Sequence, residues 1–119
     1  MPEKYQRPDW HERVRSIDRM KRASQDEREA FAVVAEFNAQ IAARGFAWFW
    51  PKVGTALTAK CPWAVITCDA CGMAGDLDLR MKPRDPEASV RVVLRDFRCP
   101  RCNGHGRPRI AALSRGPSI

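Results

Sequence analysis

Histidine is scarce in this chain, and the two that occur, His11 and His105, lie in different parts of it. Without paired imidazoles, most acid–base and metal-hydrolase constellations have nothing to build on. No stretch resembles a nucleophile elbow, a phosphate-cradling glycine loop or a matched carboxylate pair. The zinc deaminase pattern requires H-x-E and then P-C-x-x-C. Here His11-Glu12 lacks the gap, and Pro100 falls inside a cysteine pair rather than before it. The expectation is a protein that is not an enzyme and takes no small-molecule substrate. Long apolar runs are also missing, since nothing approaches the ~18 residues a membrane helix needs. Met1-Pro2-Glu3-Lys4 lacks the basic-then-apolar order of a secretion signal. These absences lead us to expect a cytoplasmic protein that does not engage a membrane.

The chain does contain five cysteines in 119 residues. In a reducing compartment, paired cysteines point to metal or redox chemistry, and an odd count fits a closed disulfide framework poorly. Four of them form two C-x-x-C pairs, Cys68-Asp69-Ala70-Cys71-Gly72 and Cys99-Pro100-Arg101-Cys102. A two-residue gap in a tight turn lets both sulfurs face one ion at about 2.3 Å, and two such pairs complete a tetrahedral Zn2+ site. A site closed by four protein ligands is structural, because catalytic zinc keeps a position for water. Gly72 permits the left-handed backbone such a knuckle uses. The competing reading is a pair of redox dithiols, which two pairs together disfavour. Cys61, seven residues before Cys68, forms no knuckle and reads as a small buried hydrophobe, with ligand exchange as the alternative. His105 reads as a surface residue or as support behind a ligand.

With these two knuckles the chain resembles the zinc-ribbon group, in which neighbouring hairpins clasp one ion. The resemblance spans residues 61–113. It extends to small uncharacterised ribbon proteins of alphaproteobacteria and their phages, which offer no function to import. The 27-residue spacer between Cys71 and Cys99 is longer than the ~15–20 of the simplest ribbons and would hold an inserted short helix. In the second knuckle Asn103 follows Cys102 and the glycine comes later, at Gly104, which leaves the shape of that turn open.

The expected fold class is α+β: an N-terminal helical hairpin or arm, then a small ribbon domain with the inserted helix. The division is residues 1–45 as arm, 46–60 as aromatic connector, 61–113 as ribbon and 114–119 as flexible tail. Within the arm, Asp9 and Glu12 have capping-box spacing after Pro8, and Trp10, Val14, Ile17 and Met20 or Lys21 recur at helical spacing. Ser24 and Glu27 make a second capping box. Phe31, Val34, Phe37 (or Asn38) and Ile41 follow on one face, and Gly45 stops the run. This predicts two helices. Trp63 to Thr67 and the alternating Leu77, Leu79 and Met81 predict strands. From Asp85 to Phe97 a helix capped by Asp85-Pro86 competes with a strand, and the helix is favoured by the spacing of Val90, Val93, Leu94 and Phe97. Arg107 to Leu113 predicts a last strand. Trp48, Phe49, Trp50 and Trp63 read as core that joins arm to ribbon, with base stacking as the alternative.

The net charge is +7 and lies mostly beyond residue 44: nine Lys/Arg meet eight Asp/Glu before it, and twelve meet six after it. A loaded four-thiolate site removes about two units and leaves this half basic. On a helix Arg91, Arg95 and Arg98 share a face, and Arg101, Arg107 and Arg109 extend it into a stripe spaced for phosphates. A solvated face partly neutralised by Asp85, Glu87 and Asp96 is the plain alternative. Sequence reasoning therefore favours a zinc-stabilised module that binds DNA or RNA through those arginines. The alternative is an adaptor that docks a protein partner through residues 10–44.

Overall fold

A computed structural model describes residues 10–102 and 106–118. The elements run α1 (Trp10–Arg44), α2 (Val53–Thr58), β1 (Trp63–Cys68), β2 (Ala74–Asp78), α3 (Val90–Arg95) and β3 (Pro108–Ser114). One long helix and a three-stranded antiparallel sheet of order β2-β1-β3 make the chain α+β. No helix among the described residues is long and apolar enough to cross a membrane.

The arm is one helix of 35 residues rather than a hairpin of two. The Ser24–Glu27 capping box sits inside it without interrupting it. A serine in a helix interior costs only tenths of a kcal/mol, whereas ending one helix and nucleating another costs far more. With neither Gly nor Pro between residues 9 and 44, nothing forces a break. Side-chain bonds from Gln25 to Glu29 and from Gln40 to Glu36, both 3.0 Å, brace it at i,i+4. Gly45 ends it as expected, at φ +80°, with its N–H on the Ile41 carbonyl at 2.7 Å. The cap expected at Pro8-Asp9 lies outside the described residues.

Only the second half of α1 meets the core. Ala30, Val34, Phe37 and Ile41 are buried together with Val53, Ala56, Ala59, Cys61, Ala64, Ile66, Leu79, Val90, Leu94 and Leu113. Phe37 is fully buried, against the half-buried rings of Phe49 and Trp50. Trp48, expected in the core with them, is instead 75% exposed, stacked edge-on with Phe46 beneath the Arg44 guanidinium. Asn38 joins α1 to β3 by two bonds to one residue. Its Nδ2 donates to the Leu113 carbonyl at 2.9 Å, and its Oδ1 accepts the Leu113 N–H at 2.8 Å.

The expected connector contains α2. Lys52 gives this helix no side-chain cap, and its first donors find partners from afar: Val53 N–H meets the Ala88 carbonyl and Gly54 N–H that of Pro86, at 2.8 and 2.9 Å. The same loop displaces the start of the next helix. Asp85-Pro86 forms a turn, with Oδ1 of Asp85 accepting the Glu87 N–H, and α3 begins only after Ser89, whose Oγ caps Arg91 N–H at 3.1 Å. Its inward positions are those the spacing implied: Val90 and Leu94 are buried and Val93 half-buried, and Phe97, just past its end, is half-buried too.

The second strand lies earlier than its alternation suggested. β2 stops at Asp78, where the carboxylate accepts both the backbone N–H and the guanidinium of Arg80 and turns the chain. Leu79 is buried past the strand end, while Met81 is 75% exposed. β1 pairs Ala64 with Leu77 on one side and Leu113 on the other. A register shift between Val65 and Ile66 leaves Ala111 as an extra residue in β3. That bulge lets Leu113 and Ile110, three apart, both turn inward, which strict alternation would forbid. Along β1 the buried positions are Ala64, Ile66 and Cys68, so the strand's own pleat turns the first cysteine inward.

Candidate metal centre

The first pair occupies the turn that leaves β1, and the second follows α3 just before the approach to β3. The first knuckle is held by backbone bonds. Cys68 N–H reaches the Met73 carbonyl at 2.9 Å, and Gly72 N–H returns to the Cys68 carbonyl at 2.9 Å, with Gly72 at φ +73° as the knuckle reading requires. Asp69 fastens this turn to the segment beyond the second pair. Its N–H donates to the Arg107 carbonyl at 3.0 Å, and its Oδ1 accepts the Arg107 N–H at 2.7 Å.

Within this frame the sulfurs of Cys68, Cys71, Cys99 and Cys102 all lie within 4.8 Å of one another. Cys68 Sγ is 3.6 Å from Cys102 Sγ, and Cys71 Sγ is 3.7 Å from Cys99 Sγ. Each of these short approaches joins one pair to the other, so the four sulfurs form one donor set rather than two separate dithiols. A tetrahedron with metal–sulfur bonds of about 2.3 Å has edges of about 3.8 Å, close to these separations. The four cysteines are thus placed to hold a single metal ion. Cys68 and Cys99 are buried, while Cys71 and Cys102 are partly exposed.

Backbone N–H groups aim at the sulfurs. Cys99 is held down to about 7, first by the N–H of Cys102, with burial opposing and the N–H of Arg101 adding to it. At Cys102 the Gly106 N–H favours the thiolate, but burial and the neighbouring sulfurs of Cys68 and Cys99 outweigh it and push the group up to about 11. Cys71 is likewise raised: the Met73 N–H is overcome by burial and by the crowding of Cys68 and Cys99. Amides invite negative charge here, and mutual repulsion opposes placing four charges together. A bound cation removes that conflict, which is the chemistry of this donor set.

Gly106 is a functional position that sequence reasoning missed. A Cβ built on it would stand 2.0 Å from Cys68 Sγ and 2.9 Å from the Ala70 Cβ, so only glycine fits beside the sulfurs. The contact spans 38 positions of sequence, and no local pattern announces it; the glycine that a knuckle pattern singles out is Gly104. Asn103, Gly104 and His105, on which readings of the second turn and of a supporting histidine fell, lie outside the described residues.

Cys61 stands apart from this set, 2% exposed in the core, with Sγ 3.6 Å from the Ala59 carbonyl. Burial pushes its thiol up, and Arg115 partly counters this.

The arginines of the expected stripe are all exposed: Arg91, Arg95, Arg98, Arg101, Arg107 and Arg109. They do not share one helix. Arg91 and Arg95 lie on α3, but Arg98 comes after its end, its guanidinium turned back on the Arg95 and Phe97 carbonyls at 3.4 Å. Arg101 sits in the second knuckle, Arg107 just before β3 and Arg109 within it. The i+7 alignment fails because six residues make less than two turns. Among the described residues, none of the six forms an ion pair.

Comparison with protein-family models, with curated proteins and with solved structures finds no match for this chain.

Proposed function

We propose that the chain is a zinc-stabilised, non-enzymatic binding module of zinc-ribbon type, in which Cys68, Cys71, Cys99 and Cys102 hold one Zn2+. The observation that carries this reading is the sulfur arrangement, all four within 4.8 Å of one another, with approaches of 3.6 and 3.7 Å between the two pairs. Four thiolates complete the ion's coordination, so it supplies cohesion rather than an open position for chemistry. It ties the β1–β2 turn to the segment between α3 and β3. Elemental analysis should give about one zinc per chain, and Cys99→Ser should lose it. Cys61→Ala should keep full stoichiometry. Because metal binding in such sites is folding free energy, a strong chelator should lower the unfolding temperature. A cooperatively folded chain with neither zinc nor chelator sensitivity would sink the proposal.

The partner class we propose is nucleic acid, met through phosphates by Arg91, Arg95, Arg98, Arg101, Arg107 and Arg109. Support comes from the exposure of all six and from their lack of ion pairs among the described residues. Binding of this kind weakens steeply with salt, and each lost phosphate contact lowers the log–log slope by roughly 0.7–0.9. Titrating DNA and RNA against the zinc-loaded wild type and Arg91→Ala/Arg95→Ala tests it. Equal affinity and slope for both would remove the arginines from the interface. The adaptor reading through residues 10–44 has its own support in the exposed apolar residues of α1.

A further inference from the structure

Among the described residues, three arginines stand over aromatic rings, and two of them are committed elsewhere. Arg80 covers Trp63 at 5.5 Å, but its guanidinium is held by the Asp78 carboxylate. Arg115 lies 4.5 Å from the centre of Phe31 and also engages the Cys61 thiol. Arg44 lies over two rings at once, 5.8 Å from the centre of Phe46 and 5.7 Å from that of Trp48. It is exposed and, among the described residues, enters no ion pair. Its forked N–H donors are therefore left for an anion from outside.

The rings beneath it are open as well. Trp48 is 75% exposed and Phe46 53%, with centroids 6.0 Å apart and planes at 80°. A lone exposed aromatic residue needs no explanation. Here two sit together under an unpaired cation, while the next aromatic residues along the chain, Phe49 and Trp50, pack on Phe37. The backbone is fixed on both sides of the patch. Gly45 N–H closes α1 on the Ile41 carbonyl at 2.7 Å, and Trp48 N–H is held by Gln40 Oε1 at 2.8 Å. Gln40 is braced in turn by Glu36, whose carboxylate accepts its amide at 3.0 Å. A hydrogen-bonded frame thus presents the indole to the outside.

What fits this patch carries a flat π face with a negative charge beside it. A nucleotide in a single strand does so: its base stacks on the indole while its phosphate meets the Arg44 guanidinium. A duplex does not, because its bases are stacked on one another and their faces are closed. An acidic peptide brings the charge without the flat face.

Resting on the nucleic-acid reading above, we infer that Trp48, Phe46 and Arg44 form a stacking site for an unpaired base of single-stranded DNA or RNA. Trp48 is the platform, Phe46 flanks it and Arg44 holds the adjoining phosphate. To the grip of the other arginines, which any phosphate backbone satisfies, this site adds a contact that only unpaired bases make.

Fluorescence anisotropy tests this, titrating the full zinc-loaded chain against a labelled single strand, its duplex and an abasic strand of equal length. Wild type should bind the abasic strand more weakly than the normal one. Trp48→Ala should weaken single-strand binding by about tenfold or more, and leave duplex and abasic binding and the log–log salt slope unchanged. Trp48→Phe keeps a ring and should keep most of the affinity. Arg44→Ala should instead lower the single-strand slope by about 0.7. Single strand should also quench tryptophan emission, and Trp48→Ala should remove that quench. A Trp48→Ala variant that binds single strand like wild type overturns the inference. So does one that loses duplex and abasic binding equally, a wild type that binds normal and abasic strands alike, or a Trp48→Ala effect confined to anionic vesicles. If duplex binding still falls in Arg91→Ala/Arg95→Ala, the arginine reading survives that failure. A wild type that binds no nucleic acid overturns both.

Discussion

Gly106 shows how little room the sulfurs have. Because a Cβ there would stand only 2.0 Å from Cys68 Sγ, Gly106→Ala must push apart the two segments that carry the knuckles. The expected outcome is a zinc affinity lower by an order of magnitude or more, equivalent to roughly 1.4 kcal/mol per factor of ten, measured by competition with a chromogenic chelator. Full affinity in that variant would mean that the approach is not tight in solution. A different residue-scale test concerns Asp78. Its carboxyl is held below the usual carboxylate range, first by the Arg80 guanidinium and then by the Arg80 N–H. A depressed folded-state pKa contributes stability that is present above the unfolded value and is lost as pH falls through the folded one. Arg80→Ala should therefore raise the Asp78 titration midpoint, lower stability near neutral pH and shrink the part of that stability that acid removes. Side-chain chemical shifts followed across the acid range check the first point, and thermal melts at several pH values check the second. An unmoved midpoint would refute the pairing.

Among the elements, those stabilised by neighbours in sequence are legible in it and those stabilised through space are not. The cysteine knuckles can be read because a two-residue gap carries its geometry with it. β1 and β3 follow from their composition, and the end of α1 from Gly45. By contrast, α2 owes its first hydrogen bonds to the carbonyls of Pro86 and Ala88, more than thirty residues on, and no local reading could supply them. The Ser24 capping box misleads because a cap motif inside an unbroken helix is only a weak cost, not a stop. Likewise Asp85-Pro86 looks like a helix start, but the carbonyls of Pro86 and Ala88 serve α2, which leaves Ser89 to cap α3. The Asp69–Arg107 clamp and the Gly106 contact are invisible for the same reason as α2: each joins distant positions. Ser89→Ala tests the corrected start of α3. Losing the Ser89 Oγ acceptor should cost about 0.5–2 kcal/mol by denaturant unfolding, with zinc stoichiometry intact. Asp85→Ala should leave the α3 cap itself unchanged, and its amide at Arg91 should stay protected from hydrogen exchange. Loss of that protection in Asp85→Ala rather than in Ser89→Ala would reverse the assignment.

For the whole molecule, one core joins the anchored half of α1 to the sheet, while the other half of α1 extends beyond it as an arm. A sheet of order β2-β1-β3 has two open margins, and open margins invite strands from other molecules. At the β3 margin, the Asn38 amide occupies both the N–H and the C=O of Leu113, as a neighbouring strand would. One side chain thus serves as a stand-in for a fourth strand and blocks lateral growth of the sheet at that point. Asn38→Leu keeps the size and suits a helix, but returns both backbone groups to the solvent or to any passing strand. It should cost roughly 1–3 kcal/mol if they stay unpaired. On concentrated storage it should also show rising light scatter and a gain of β signal, where the wild type stays clear. A variant as durable as wild type would mean that the margin is guarded by something else. If the amide is the guard, copies of this chain can crowd together without fusing their sheets.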